Sequence, residues 1–255
     1  MDAWEMNMSE TKVAVPASDG TAEAFLYAPS RGSGPWPGVI FLTDIMGIRK
    51  ANLGMANRIA EHGYVVLVPN IFYRVSRLPV VDFELKMGDE RTMKRMGELR
   101  AGLSNAQMGP DGAAYADFLL AQANVKGAKV GVVGYCFTGT MAIRTAAAAP
   151  DKIAAAASFH GGGLYTDQPD SPHLLLSKIK ARLYFGHAIE DRGMPAEAIE
   201  KLETLLKAWP GKSQSETYAG ARHGWTVPGR PEVYNEAQAE RHYVKLFELL
   251  DETLN

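Results

Sequence analysis

The 255-residue chain carries 27 lysines and arginines against 29 aspartates and glutamates, which gives no reason to expect nucleic acid or an acidic membrane as a partner. The length suits a single α/β domain, and no apolar run approaches the ~20 residues that cross a bilayer. One cysteine cannot form an internal disulfide, and the first residues lack the basic start and apolar core of a signal peptide. We therefore expect one domain over residues 1–255, located in the cytoplasm, with no nucleic-acid or membrane partner.

The predicted elements alternate between strands and helices along the whole chain, with no internal repeat and no linker. Strand-like runs lie at residues 11–15, 22–27, 38–42, 64–68, 129–133, 153–159, 181–186 and 215–218. Helical patterns lie at 53–61, at 110–123 with Pro110 in the first turn, and at 140–149, 195–209 and 232–250; the charged segment 74–105 holds one more helix. Continuous apolar strands separated by helices indicate the α/β class, with a mostly parallel sheet covered by helices on both faces.

The one cysteine occupies a position typical of a nucleophile. Cys136 lies in the segment Gly-Tyr-Cys-Phe-Thr-Gly at residues 134–139, directly after one predicted strand and before a predicted helix. Such a strand–turn–helix, here called the elbow, lifts its central residue above the edge of an α/β sheet. A helix N-terminus also favours the thiolate, which is the reactive form. The alternative is a buried cysteine that packs as a small hydrophobic side chain.

A nucleophilic thiol needs a base, and the base needs a carboxylate that holds its tautomer. In hydrolases built on this elbow the order along the chain is nucleophile, acid, histidine. His223, in a loop with glycines on both sides, is the expected base. Asp191, which follows strand 181–186, is the expected acid, and its neighbour Glu190 is the alternative. The backbone N–H groups of Ile45 and Phe137 are expected to form the oxyanion hole.

These segments resemble the dienelactone hydrolase family, a thiol-using branch of the α/β-hydrolases, over nearly the whole chain from about residue 39. The most specific matches are the elbow, the Gly-His-Ala-Ile-Glu-Asp segment at 186–191 and the Arg-His-Gly-Trp segment at 222–225. The resemblance implies an α/β-hydrolase fold and hydrolysis of a small lactone or activated ester through a thiol ester on Cys136. It also implies that no metal and no organic cofactor take part.

The resemblance has one departure near the thiol. The family places a thiol-activating glutamate after the first central strand, and this chain has Asp44 there, one methylene shorter. The resemblance therefore implies that Asp44 tunes Cys136, and the alternative is a plain carboxylate at the end of a strand.

The residues that bind the substrate are less sharply defined. The family holds a substrate carboxylate with arginines, and the candidates here are Arg91 and Arg74, each equally suited to be a solvated surface charge. Trp225 is a candidate apolar wall, although aromatic core is the commoner fate of such a residue. His160, in a Gly-rich loop, is a candidate for lining the pocket or for structural hydrogen bonding. We expect a small-molecule lactone or ester as substrate, and a monomer or small homo-oligomer.

Two other functions stay open at this point. A general carboxylesterase or thioesterase would use the same thiol chemistry, and a panel of lactone, aryl ester and thioester substrates would separate these activities. A non-catalytic binding module with a hydrolase fold would have no reason to keep Cys136, Asp191 and His223 in this order. A thiol is itself a good leaving group, so esters with stabilised leaving groups, such as enol esters, suit the chemistry better than amides.

Overall fold

A computed structural model describes residues 10–86 and 88–255, and in this part of the chain eight strands form one sheet. Their order across the sheet is β1-β2-β4-β3-β5-β6-β7-β8. The outer pair β1 and β2 is antiparallel, β2 is antiparallel to β4, and all other neighbours are parallel. The strands are β1 Glu10–Ala17, β2 Gly20–Tyr27, β3 Gly38–Leu42, β4 Val65–Pro69, β5 Val130–Tyr135, β6 Ile153–Phe159, β7 Arg182–His187 and β8 Ser213–Thr217.

Helices cover both faces of this sheet, as the sequence predicts. They are α1 Lys50–Glu61, α2 Glu90–Ala101, α3 Asn105–Leu120, α4 Thr138–Ala148, α5 Ala196–Ala208 and α6 Glu236–Leu254, and a 3-10 helix spans Pro172–Lys178. None of the helices in the described residues is long and apolar enough to cross a membrane.

The alternation of side chains along the strands builds two separate cores. On β3, Ile40 and Leu42 pack into the core that also contains side chains of α3, α4 and α5. Val39 and Phe41 point to the opposite face, where they pack with side chains of α1 and α6. Because all of β3 is buried on both faces, its sequence is a continuous apolar run rather than an alternating one.

The start of α3 differs from the prediction. The helix begins at Asn105, so Pro110 lies inside it and not in its first turn. Ser104 precedes the helix, and its N–H donates to the Gln107 side chain at 2.8 Å, which satisfies a backbone donor at the helix start. The capping pair at 104 and 107 therefore decides where the helix begins, and the proline is accommodated at the cost of one intrahelical hydrogen bond.

The strand order places a crevice above β3 and β5. The connection after β3 leads to β4 on one side, and the connection after β5 leads to β6 on the other side, so these two connections run in opposite directions. Loops that follow the carboxyl ends of such strands separate and leave room for a ligand between them. The segments after β3 and after β5 contain Asp44 and Cys136, and they meet at this point.

Candidate active site

The elbow between β5 and α4 holds Cys136 in a conformation that few residues other than glycine adopt. Its φ is 61°, and its side chain is half-buried. Two glycines allow the close approach of α4 to the sheet: a Cβ on Gly134 would lie 2.1 Å from the Thr138 carbonyl oxygen, and one on Gly139 would lie 2.2 Å from Ser158 Oγ. The small residues of the motif are therefore required by backbone packing, and they present the thiol at the sheet edge.

A hydroxyl fastens the elbow to the neighbouring strand. Thr138 Oγ1 accepts the N–H of Tyr135 at 2.9 Å and lies 3.1 Å from the carbonyl oxygen of Leu42, at the end of β3. The first turn of α4 is thus joined to both β5 and β3, and the helix begins two residues after Cys136.

The structure brings Cys136, His223 and Asp191 together in one hydrogen-bonded chain. His223 Nε2 lies 3.0 Å from Cys136 Sγ, and His223 Nδ1 lies 2.7 Å from Asp191 Oδ2. Asp191 Oδ1 in turn accepts the N–H of Gly193 at 2.8 Å. Glu190, the alternative acid, faces outward instead, with its carboxylate 3.9 Å from the Arg222 guanidinium.

The charges around His223 favour its protonated form. Burial lowers the pKa of His223, but the hydrogen bonds to Asp191 and Cys136 outweigh burial and raise the pKa to about 10. Burial alone would raise the pKa of Asp191, but the hydrogen bond from His223 outweighs burial and holds the pKa of Asp191 below its usual value. A protonated His223 would direct its Nε2 proton at the Cys136 sulfur, which lies 3.0 Å away.

Two backbone donors at the crevice have no acceptor among the described residues. The N–H groups of Ile45, after β3, and of Phe137, at the start of α4, make no hydrogen bond to any acceptor in the described part of the chain. Ile45 and Phe137 belong to the two segments that flank the crevice, and their role as an oxyanion hole stays a prediction.

Two cavities meet at the thiol, and Cys136 and His223 line both of them. The larger, of about 350 Å³, lies over the start of α4 and includes Phe137, Thr140 and Arg144 in its wall. The smaller, of about 150 Å³, has its wall formed by Asp44, Ile45, Met46, Met96, His160, Gly224 and Arg230 in addition to the shared pair. A substrate bound at the sulfur can therefore extend into either cavity.

Asp44 lines the smaller cavity, but its oxygens are already engaged. Arg49 donates to Oδ1 at 2.8 Å and to Oδ2 at 2.7 Å, and Oδ1 also accepts the N–H of Met46 at 2.9 Å. The carboxylate thus lies in the same cavity as Cys136 while its hydrogen bonds go to Arg49 and Met46.

The two arginines that the sequence suggested for substrate binding lie away from both cavities. Arg74 donates to Asp111 at 2.7 and 2.9 Å and to Asp19 at 2.8 Å, because the buried Asp111 requires a counter-charge. Arg91 is exposed on α2, stacks over the Phe83 ring at 3.9 Å and contributes to neither cavity wall. Both predictions are corrected: Arg74 has a structural role and Arg91 lies at the surface.

Trp225 and His160, the two ring residues predicted to line the pocket, have other contacts in the structure. Trp225 is fully buried and stacks on Tyr218 with ring centroids 4.8 Å apart, so the prediction that it contacts substrate is corrected in favour of core packing. His160 does line the smaller cavity, but both its ring nitrogens already have protein partners, the N–H of Cys136 and the hydroxyl of Thr226.

Arg100 and Arg144, neither of which was predicted from the sequence, both line the larger cavity. A signal for Arg144 exists in the sequence. Phe137, Thr140 and Arg144 follow at helical spacing after the nucleophile, so they share the face of α4 that looks into the crevice. Arg100 comes from α2, and nothing in the local pattern shows that this helix lies beside the elbow.

No group of three histidine, cysteine, aspartate or glutamate side chains in the described residues is arranged to hold a metal ion.

Comparison with known proteins decides the family. The sequence profile of the dienelactone hydrolase family matches residues 22–254. The chain belongs to the dienelactone hydrolase family. It is 27% identical over 238 residues to a Synechocystis protein provisionally named a carboxymethylenebutenolidase, covering 92% of this chain and 94% of the relative. It is also 27% identical over 230 residues to the Rhodococcus opacus carboxymethylenebutenolidase, covering 88% and 85%.

Solved structures agree with this placement at the level of fold. The crystal structure of a Klebsiella pneumoniae protein provisionally titled a dienelactone hydrolase matches with a TM-score of 0.82 at 19% identity, covering 96% of this chain and 98% of that one. The family resemblance, the α/β-hydrolase fold and the assignment as a hydrolase, all predicted from the sequence, are confirmed.

Proposed function

We propose that this dienelactone hydrolase family member cleaves a small lactone or activated ester through a thiol ester on Cys136, with His223 and Asp191 as the other triad members. The observation that carries the proposal is the unbroken chain from sulfur to carboxylate, with 3.0 Å between Sγ and Nε2 and 2.7 Å between Nδ1 and Oδ2. These are hydrogen-bond distances for a nucleophile, a base and the acid that orients the base.

The first half of the reaction starts from a thiolate on Cys136 and an imidazolium on His223. The Cys136 thiolate attacks the ester carbonyl carbon, and the carbonyl oxygen gains negative charge and accepts hydrogen bonds from the N–H groups of Ile45 and Phe137. The C–O bond then breaks, and the His223 imidazolium gives its Nε2 proton to the leaving oxygen. Because the sulfur can also be expelled from the tetrahedral intermediate, a leaving group of low basicity, such as an enolate, drives the step forward.

The second half hydrolyses the thiol ester and restores the thiolate of Cys136 and the imidazolium of His223. His223 is now neutral, and it takes a proton from a water that attacks the thiol ester. The carbon–sulfur bond breaks, the acid product leaves, and the proton on Nε2 again faces the thiolate. Asp191 holds the Nδ1 side of the ring in the same orientation throughout.

The relatives are named for a butenolide lactone that carries a carboxylate group, and we propose a substrate of the same kind for this chain. Arg144 supports an anionic group in the larger cavity. Its side chain is 9% exposed, Nη2 donates to the Asp170 carbonyl oxygen at 2.6 Å, and the buried Nε has no acceptor among the described residues. The wall also holds Arg100 and one carboxylate, Asp170, which lies 4.0 Å from Arg144 and points partly into solvent.

The resemblance implies that Asp44 activates Cys136, but its oxygens already accept hydrogen bonds from Arg49 and Met46. We propose instead that Asp44 acts on the thiol through the field of its pair with Arg49 and disfavours the thiolate. The carboxylate lines the smaller cavity and balances the guanidinium of Arg49, which does not itself line that cavity. Asp44→Asn would leave the Arg49 cation uncompensated, which favours the thiolate, so the pH midpoint for alkylation of Cys136 by iodoacetamide should fall. An unchanged midpoint in Asp44→Asn would exclude a tuning role.

Hydrolysis of a dienelactone and of p-nitrophenyl acetate by the wild type and by Cys136→Ala tests the proposal. We expect turnover of both esters by the wild type, a higher kcat/KM for the lactone, and loss of both activities in Cys136→Ala. Undiminished turnover in that variant would refute the thiol mechanism. Preference for the acetate or for thioesters would instead indicate a general esterase or thioesterase, and no turnover by the wild type would indicate a binding protein.

A further inference from the structure

His160 lies between the elbow and the loop that carries His223. It follows β6 with a φ of 42°, and it is 1% exposed. Its Nδ1 accepts the backbone N–H of Cys136 at 3.0 Å, and its Nε2 lies 2.8 Å from Thr226 Oγ1. Thr226 is three residues beyond His223 and is itself buried. One imidazole ring therefore connects the nucleophile's backbone with the loop of its base.

The hydrogen bonds define the state of this ring. A backbone N–H only donates, so Nδ1 of His160 is unprotonated and the ring proton is on Nε2, from which it donates to Thr226. Burial lowers the pKa of His160 well below its ordinary value, and the charges of His223, His242 and Arg230 act in the same direction. The ring therefore stays neutral and keeps one tautomer.

The bond to Cys136 does more than satisfy a backbone donor. The same N–H lies 3.1 Å from the carbonyl oxygen of Phe159, so it would retain an acceptor if the imidazole were removed. The ring also packs edge-on against His223, with centroids 5.0 Å apart and planes at 62°. The ring of His160 thus contacts both the backbone of Cys136 and the side chain of His223.

We propose that His160 is a positioning residue, whose imidazole bridges the Cys136 N–H and the Thr226 hydroxyl and thereby fixes the separation of Cys136 Sγ and His223 Nε2. The inference rests on the proposed function insofar as that pair performs the chemistry. Removing the bridge should let the His223 loop move relative to the elbow, weaken the ion pair and leave substrate binding largely intact.

Thr226 offers the sharpest test, because two substitutions separate its hydroxyl from its shape. Thr226→Val keeps the shape and removes the acceptor, whereas Thr226→Ser keeps the hydroxyl. Since the chain has one cysteine, alkylation by iodoacetamide reports Cys136 alone. For Thr226→Val we expect the pH midpoint of alkylation to rise by about one unit, a tenfold change, and kcat on p-nitrophenyl acetate to fall about 10- to 100-fold with KM little changed. Thr226→Ser should retain wild-type values.

His160→Asn provides an independent variant. Asparagine tolerates a positive φ and offers an oxygen to the Cys136 N–H, but it is too short to bridge to Thr226, so it should behave like Thr226→Val. His242→Asn is the matched control: His242 is also buried and hydrogen-bonded, to the Ala239 carbonyl oxygen and the Tyr135 hydroxyl, but these hydrogen bonds and its ring contacts do not involve Cys136, His160 or His223. Folded His242→Asn should alkylate as the wild type does.

Wild-type alkylation profiles and kcat in Thr226→Val and in folded His160→Asn would overturn the proposal. If His160→Asn does not fold, the Thr226 pair alone decides. The alkylation profile needs no ester turnover, so a wild type that hydrolyses nothing would refute the proposed function while the profiles of the variants still test the positioning role.

Discussion

Asp191 and Glu190 are adjacent carboxylates, yet they face opposite directions. Glu190 has a φ of 51°, and this turn of the backbone places Asp191 against His223 and leaves Glu190 beside Arg222. The order of nucleophile, acid and histidine predicts which loops must meet, but the choice between two neighbouring acids depends on a backbone angle that a sequence pattern does not show.

Replacing Asp191 should lower both the activity and the upper pH limit of the reaction. The pKa of His223 is raised to about 10 because Asp191 and Cys136 hold the imidazolium against the effect of burial. In Asp191→Asn that support is reduced, so the fall of kcat/KM at alkaline pH should move down from near 10 toward ~6.5, and kcat should drop about 10²- to 10⁴-fold. A kcat/KM profile from pH 5 to 11 measures both effects.

Glu190→Gln is the control for that experiment, since its side chain is exposed and faces Arg222. It should keep the wild-type profile. If the fall of kcat/KM at alkaline pH keeps its position in Asp191→Asn but shifts in Glu190→Gln, Glu190 and not Asp191 is the acid that orients His223.

At the scale of single elements, the elbow requires glycine at position 134 because the backbone of α4 lies against it. The nearest atoms to a Cβ on Gly134 belong to the backbone of Thr138 and Gly139, so they cannot move aside without displacing the start of α4. Gly134→Ala should therefore reduce the free energy of unfolding by about 1–3 kcal/mol and disturb the thiol as well.

Gly54→Ala is the matched control. Gly54 lies in α1, and a Cβ there would meet nothing within 4 Å, so alanine should stabilise the helix by about 0.5–1 kcal/mol. Urea unfolding of both variants measures the difference. Equal stabilities for Gly134→Ala and Gly54→Ala would contradict the close approach of α4 to β5.

The elements themselves were largely predictable, and the errors have physical causes. Buried strands such as β3 and β4 are unbroken apolar runs, which makes them easy to find. Helix ends were less accurate: α3 starts at a capping pair, five residues before Pro110, and α4 already begins at Thr138 because the elbow leads directly into it. Helix starts depend on hydrogen bonds of single side chains, which periodicity does not report.

The whole molecule determines what the site can bind. Arg100 and Arg144 come from α2 and α4 and meet only because the chain folds both helices over one crevice. The order of residues along the chain predicted that Cys136, Asp191 and His223 come together, whereas the arginines it suggested, Arg74 and Arg91, line neither cavity.

Arg144→Gln should selectively impair substrates with an anionic group. Loss of a charge-assisted hydrogen bond to a carboxylate should lower kcat/KM for an anionic lactone about 10- to 100-fold and leave p-nitrophenyl acetate little affected. Arg91→Gln, which removes an exposed arginine that lines neither cavity, should leave turnover of both substrates unaffected. Equal losses on the neutral and the anionic ester in Arg144→Gln would argue against a carboxylate site in the larger cavity.

The most direct test of the central claim is the intact mass of the protein after rapid acid quench from turnover of a p-nitrophenyl ester. The proposed mechanism predicts one added acyl group per chain on Cys136, formed with the burst of nitrophenol and absent from Cys136→Ala. A wild type that turns over the ester with no acyl adduct, in a burst-free reaction that Cys136→Ala also performs, would contradict it.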